Sequence, residues 1–555
     1  MPQNPSASHT GPAEPRPDLH TGSGEALASY SVTGSPAPAG LLDAFDAYET
    51  ALMANDVEAL EARFAPDDVL GAGVPTVRGD KDGLLQGHDV IADFRRGRSA
   101  PPTRTLRSVV VQTVDESSAL VMAVTEMARG GTGLQTQLWR RSGGRWLVTA
   151  AHVSVPPPAV DSTVWRVIGT PLLAPTAADG PVQGLTVAVK DLYAVAGHRV
   201  GAGSAAWLAQ APVAEKSATA VQQLTDAGAS VTGIARTDEF AYSLAGVNAH
   251  YGTPPNPRAP GRISGGSSSG SASAVSLGQA DIGLGTDTGG SIRIPASYQG
   301  LFGLRTTHGA VSLAGVLLLA ESFDTVGWMT RDAQTLRRVG RVLLPGASSE
   351  PFDAAVTCAG LNGVADPDVQ AALADLLDGW CASELPPLAW GDLDPDVLPG
   401  WLAAFQTVQG FEAWSAHGLW IDANWSTLGT DVAGRFRTAS RVSAGEAETA
   451  RGVALEARRS IRSLIGDRVL VLPSASSVAP LVRDAQQGSE EIQRTRMATI
   501  RLTCLAGLGG LPAISVPLRT GDGLPRGACL VGPAGSDLRL LDLAVDLAEQ
   551  GLLAV

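Results

Sequence analysis

Two stretches of the chain set hydroxyl groups among glycines: SGGSSSGSASAV at 264–275 and GTDTGGSIRIP at 285–295. A serine hydroxyl attacks a poor electrophile such as an amide only if a base takes its proton during the attack. Eight histidines are present, but none sits in a Ser-His-Asp context. His250 and His308 fall near the motifs and fit loop-capping roles better. A lysine is the other candidate base. Lys190 lies inside VAVKDL, an apolar stretch with little reason to carry a charge. Its ordinary pKa of about 10.4 would have to fall by roughly 3 units, or about 4 kcal/mol, to act near neutral pH. Burial among neighbours such as Val187 and Val189 shifts an amine in that direction. Bland readings stand beside these. The glycine-serine run reads as a flexible linker, and Lys190 as an edge-strand lysine facing water. A phosphate cradle fits less well, because neither GxxxxGK[ST] nor GxGxxG spacing is present in the run.

The flanking elements weigh against a linker, which needs polar surroundings on both sides. The run continues instead into LGQADIGLGTD, a stretch with the texture of a buried strand. LTVAVKDLY and RVLVLPSA read as strands buried on both faces; SATAVQQLTDAGA, DPDVQAALADLLDGW and LLDLAVDLAEQGLL read as helices between them. Residues 165–555 are therefore expected to be one α/β domain. The front of the chain differs. Helical spacing over LLDAFDAYETALMANDVEALEARF is followed by four alternating stretches, SVVVQTVDES, ALVMAVTEMARG, LQTQLWRRSGG and RWLVTAAHVSV. These predict one long helix and an antiparallel meander, a small α+β cone over 39–155. Residues 1–38 lack periodicity and are expected to be a disordered tail. VPPPAVD lies in a stiff Pro-rich linker at 156–164.

Composition bounds the partners. Hydrophobic residues make up 44% and charged residues 17%, enough for a large core. Lys plus Arg total 41 against 55 Asp plus Glu, a net charge of −14. That balance argues against nucleic acid or an anionic membrane as partner. The four cysteines form no CxxC or Cys/His cluster, so no disulfide framework, zinc site or other metal is expected. With no signal-like start and no apolar run of about 18 residues, a soluble cytoplasmic protein is expected.

The two motifs extend into a longer pattern. SGGSSSGSASAVSLGQADIGLGTDTGGSIRIPASYQGLFGLRTTHG resembles the signature of the amidase signature family of Ser-Ser-Lys hydrolases. VAVKDLY, TDEFAYSLAGVNAHYGTPPNP, LAGLGGLPAISVP and GACLVGP resemble other segments of that family, so the likeness spans about 165–555. NAHYGTPPNP and the stretches HGAVSLAGV and SFDTVGWMTRDAQTLRRVG look closest to indole-acetamide-type amidases. The resemblance implies the amidase signature fold, a large mixed β-sheet core surrounded by helices. It also implies a catalytic set: Lys190 as base, Ser267 as the bridging serine after a cis peptide, and Ser291 as nucleophile. Backbone N–H groups of Thr288, Gly289 and Gly290 would hold the oxyanion. Asp287, Arg293 and Gly266 would brace the turn. Ser264, Ser268 and Ser269 read as loop hydrogen-bonders. No cofactor is implied, and the partner is a small amide or ureide.

Two regions speak to specificity and assembly. GWLAAFQTVQGFEAWSAHGLWIDANW at 400–425 carries four tryptophans and two phenylalanines at helical spacing. It reads chiefly as a core-facing helix and alternatively as a pocket wall. The front unit resembles the AtzH-like family, a SnoaL-like, cystatin-like cone, through YETALMANDVEAL, GHDVIADFRRGR and LQTQLWRRSGGRWLVTAAHVSV. DVLGAG carries Leu70 where relatives often have arginine. Tyr48 and Arg95 are candidates for a small anion pocket, although an assembly role, such as a homodimer, is the readier expectation. The chemistry expected is hydrolysis of a small carboxamide through an acyl-enzyme, with ammonia released. The alternatives are a ureido-acid hydrolase (biuret-, allophanate- or oxalurate-like), an amidotransferase A subunit, and a non-catalytic scaffold.

Overall fold

Apolar-polar alternation over 104–154 has the consequence its period demands. Arg104–Asp115, Ser118–Met127, Thr132–Ser142 and Arg145–Ser154 pair as an antiparallel meander. The computed structural model describes residues 18–20, 30–67, 69, 75–80, 83–96, 104–127, 132–154, 160–344, 346, 350–487 and 490–554. Leu70 and linker residues 155–159 lie outside them. The chain divides into two compact units, residues 1–159 and 160–555.

In the first unit one face of the meander packs on the helix Leu41–Ala54 through Phe45, Tyr48, Leu52, Val109, Val121 and Trp139, all buried. The sheet is wider than the four-stranded reading. Its order is Asp18–His20, Tyr30–Gly34, Arg104–Asp115, Ser118–Met127, Thr132–Ser142, Arg145–Ser154, Val77–Asp80 and Gly83–Gln86. The expected disordered tail is thus corrected in part. Tyr30–Gly34 runs parallel to Arg104–Asp115, with Ser31 opposite Ser108, and Tyr30 Oη donates to Asp46 Oδ1 at 2.6 Å. One buried aromatic and one strand edge suffice to order a five-residue segment too short to show periodicity.

The second unit is built on an eleven-stranded mixed sheet. In spatial order its strands are Leu388–Trp390, Ala355–Thr357, Val469–Pro473, Gly527–Val531, Ala513–Pro517, Phe302–Arg305, Thr325–Thr330, Ile282–Asp287, Thr186–Lys190, Ser230–Ala235 and Trp165–Leu173. The expected helices form at Thr219–Asp226, Pro367–Cys381 and Asp537–Glu549. The Lys190 strand is interior, parallel to Ser230–Ala235 on one side and Ile282–Asp287 on the other. Alternation puts Val187 and Val189 on one face and Ala188 with Lys190 on the other. The glycine-serine run is no linker. Its second half is the helix Ser269–Ser276, buried over all but its last residue. Small side chains let this helix lie close to the sheet: a Cβ on Gly285 would stand 2.5 Å from Ser268 Oγ.

Candidate active site

The three residues singled out come from three separate segments. Lys190 ends its strand, Ser267 lies in the loop before the helix Ser269–Ser276, and Ser291 follows the strand Ile282–Asp287. Lys190 has no exposed surface. Its Nζ lies at hydrogen-bond distance from three hydroxyls: Ser267 Oγ at 2.8 Å, Ser268 Oγ at 3.0 Å and Thr286 Oγ1 at 2.8 Å. Burial lowers its pKa to about 7, against the opposing pull of Asp238, Asp324 and Asp287. The edge-strand reading is therefore overturned. The Gly266–Ser267 peptide is cis. Ser267 is fixed through its carbonyl, which accepts from Thr237 Oγ1 at 2.8 Å and from the Asp238 N–H at 3.2 Å. Gly266 N–H donates to the Leu244 carbonyl at 2.9 Å. Ser268 N–H donates to the Ser291 carbonyl at 3.3 Å, tying the two loops together.

Asp287 and Arg293 brace the turn as expected, with a third member the sequence did not single out. The fully buried Asp287 carboxylate accepts from Arg293 Nε at 3.1 Å and Nη2 at 3.0 Å, and from Arg305 Nη1 at 3.1 Å. Burial alone would raise this carboxyl, but the two guanidinium groups outweigh it and hold it well below the usual carboxylate range. Arg305 also donates to the Asp287 carbonyl at 2.6 Å and, through Nη2, to the Phe323 carbonyl at 2.9 Å.

One expectation needs correction. Gly290 N–H donates to Asp287 Oδ1 at 2.9 Å, so it serves the buried carboxylate instead of standing open to an oxyanion. The N–H groups of Gly289 and Ser291 have no protein acceptor among the described residues. Thr288 Oγ1 donates to Asp324 Oδ1 at 2.5 Å, while Asp324 Oδ2 accepts from the N–H groups of Leu319 and Ala320. Gly290 keeps its place for another reason. Its φ is +123°, and a Cβ there would meet Thr503 at 3.0 Å.

Thr288, Gly289 and Ser291 line a cavity of about 330 Å³ with Tyr242, Leu244 and Leu319. The helix Leu398–Asn424 contributes Phe405 and Gln409. Both readings of the aromatic stretch thus hold, on different faces. Phe405 walls the cavity, whereas Trp420 packs on Trp207 and Phe240. The histidines stay apart from the serines: His250 Nε2 pairs with Glu239 Oε1 at 2.8 Å, and His308 Nε2 meets the Glu321 carbonyl at 2.9 Å. Ser269 Oγ donates to Asp238 Oδ1 at 3.0 Å and Ser264 Oγ to the Gly265 carbonyl at 3.1 Å, as loop-binding roles require. Among the described residues no cluster of metal-binding side chains forms, and no helix is long and apolar enough to cross a membrane.

In the first unit Tyr48 and Arg95 do meet. Arg95 Nη2 donates to Tyr48 Oη at 2.9 Å, and the guanidinium lies 5.3 Å from the Phe64 ring centre. A buried set that sequence reading missed lies in the same unit: Arg104 Nη2 reaches Glu49 Oε2 at 2.6 Å and Gln135 Oε1 at 2.9 Å.

Fold and site together define a mixed α/β hydrolase of the amidase class. Residues 172–361 match the Amidase family and residues 35–158 the AtzH-like family. Amidase 1 of Arabidopsis thaliana is 37% identical over 398 residues, covering 66% of this chain and 93% of the relative. The translocon at the outer membrane of chloroplasts 64 of Pisum sativum is 30% identical, covering 68% of each chain. Among solved structures, one described as a vestigial protein complex revealing the origins of an s-triazine catabolic enzyme is similar, with TM-score 0.61 and 27% identity. That likeness covers 68% of this chain and 86% of the other. The chain belongs to the amidase signature family, with an AtzH-like unit in front of its amidase domain.

Proposed function

We propose that the chain hydrolyses the C–N bond of a small carboxamide through an acyl-enzyme on Ser291. Neutral Lys190 has two N–H groups and one lone pair, yet three hydroxyls surround it. Ser268 Oγ–H points to the Thr286 carbonyl at 3.3 Å and so accepts from Lys190. The lone pair is then left for a hydroxyl proton, and Ser267 supplies it. Ser267 in turn accepts the proton of Ser291 as Ser291 Oγ bonds to the substrate carbonyl carbon. The oxygen that becomes negative meets the N–H groups of Gly289 and Ser291. Collapse breaks the C–N bond, and the proton returns through Ser267 to the departing nitrogen, which leaves as ammonia. Water then adds to the acyl carbon by the same relay, releasing the acid and restoring Ser291. A cytoplasmic setting suits the four free cysteines.

The observation that carries this reading is the buried Lys190 amine 2.8 Å from Ser267 Oγ. It also favours an enzyme over a scaffold, since an unused buried lysine only destabilises a fold. Incubation with an amide and hydroxylamine tests it. The expected result is acyl hydroxamate formation that disappears in Ser291→Ala; undiminished turnover by that variant would remove Ser291 as nucleophile.

A further inference from the structure

The cavity at Ser291 contains a cation that the hydrolytic chemistry does not use. Its walls are apolar at Leu244, Leu319, Phe405 and Ile500, but Arg496 also lines it. Arg496 lines two further cavities of about 370 and 830 Å³ as well, so one side chain borders all three. Its Nε is buried and meets no protein acceptor. The carboxylate that acts on it, Asp431, is already paired with Arg435 at 2.5 Å. Arg435 lines the 830 Å³ cavity too, and its own buried Nε lacks an acceptor. Burial, with Arg435 nearby, lowers Arg496 to about 10, which leaves it charged at neutral pH. A buried charge without a counter-ion is costly. Arg496, which lines the reaction cavity while the nearby carboxylate serves Arg435, marks a place for an anion.

One helix fixes where that anion would sit. Arg496, Ile500 and Thr503 share a face of Glu490–Gly509, spaced four and seven residues from the first. Thr503 Oγ1 donates to the Gly289 carbonyl at 2.6 Å. At 1.5 Å rise per residue, Arg496 stands about 10 Å along the axis from the residue that grips the nucleophile turn. A substrate joining the two is short.

We propose that Arg496 receives a carboxylate at the far end of the acyl group, so that the preferred substrates are short amides bearing a carboxylate. Two sources share that chemistry: a dicarboxylic acid monoamide and an N-carbamoyl amino acid. This inference rests on the hydrolytic reading above and sharpens it. A planar guanidinium takes a carboxylate in a two-point grip that an ammonium or amide cannot reproduce.

The test compares kcat/KM for succinamate with that for butyramide, and for N-carbamoylglycine with that for ethylurea. The acid member of at least one pair is expected to be favoured, and the favoured pair identifies the source. In Arg496→Gln the acid-to-neutral ratio should fall on the order of 10- to 100-fold, with Arg496→Lys intermediate. Calorimetry of succinate with Ser291→Ala supplies a readout that needs no turnover. Binding is expected there and should weaken by a similar factor when Arg496→Gln is added. Neutral amides cleaved as well as acids, with a ratio unmoved by Arg496→Gln, would overturn the carboxylate assignment and leave the hydrolytic reading intact. Succinate binding that depends on Arg496, with no amide cleaved, would support the anion seat and overturn the hydrolytic reading.

Discussion

Lys190 has a pKa of about 7 in the fold against an ordinary 10.5, and this has two consequences of opposite sign. Between those values the unfolded chain holds a proton that the folded chain lacks, so this group's contribution to stability rises with pH across the window. Below about 7 its unfavourable contribution is fully present. Lys190→Met removes that contribution, so calorimetry at neutral pH should find Tm raised by several degrees. The same variant should lose about 10²- to 10⁴-fold in kcat. A fall in both would make Lys190 a structural residue. Asp287 is the converse. Arg305→Met leaves its carboxylate with one guanidinium instead of two, and a loss of about 3–5 kcal/mol is expected in denaturant unfolding.

The turn between Asp287 and Arg293 works because three elements converge on it. The strand Phe302–Arg305 brings Arg305, the helix Arg293–Gln299 brings Arg293, and the helix Glu490–Gly509 brings Thr503. Gly290→Ala puts a Cβ 2.8 Å from Ile294 Cδ1 at a φ of +123°. A loss of roughly 1–3 kcal/mol in stability is expected, with kcat reduced more than KM is raised, measured by melting and steady-state kinetics. Much of this was legible in sequence. Lys190 stood out because a charge interrupts an apolar strand, and the two glycine-serine stretches because hydroxyls sit among glycines, whereas only the family resemblance picked out Ser267 and Ser291 within them. Arg305, Thr286, Asp238 and Asp324 were not legible. Each lies in an unremarkable strand or loop, and only long-range pairing brings it to the site. Gly290 was placed among the oxyanion donors because nothing in TDTGGS reveals that Asp287 turns back to take its N–H. Tyr30–Gly34 was missed because a five-residue strand acquires its signal from the neighbour it pairs with.

The chain as a whole joins an amidase unit to an AtzH-like unit that pairs Arg104 with Glu49 in its interior. Glu49, Arg104 and Gln135 satisfy one another, which favours a role in assembly over separate chemistry. Removing residues 1–159 is expected to leave kcat/KM within about threefold and, if this unit assembles the chain, to lower the number of chains per particle in light scattering. An unchanged number of chains per particle would remove the assembly role. The proposed hydrolysis requires an uncharged amine at position 190, and the pH dependence of kcat/KM measures that directly. It should rise with a midpoint near pH 7, the value to which burial lowers Lys190. A flat profile, or a midpoint near the ordinary lysine value of about 10.4, would contradict it.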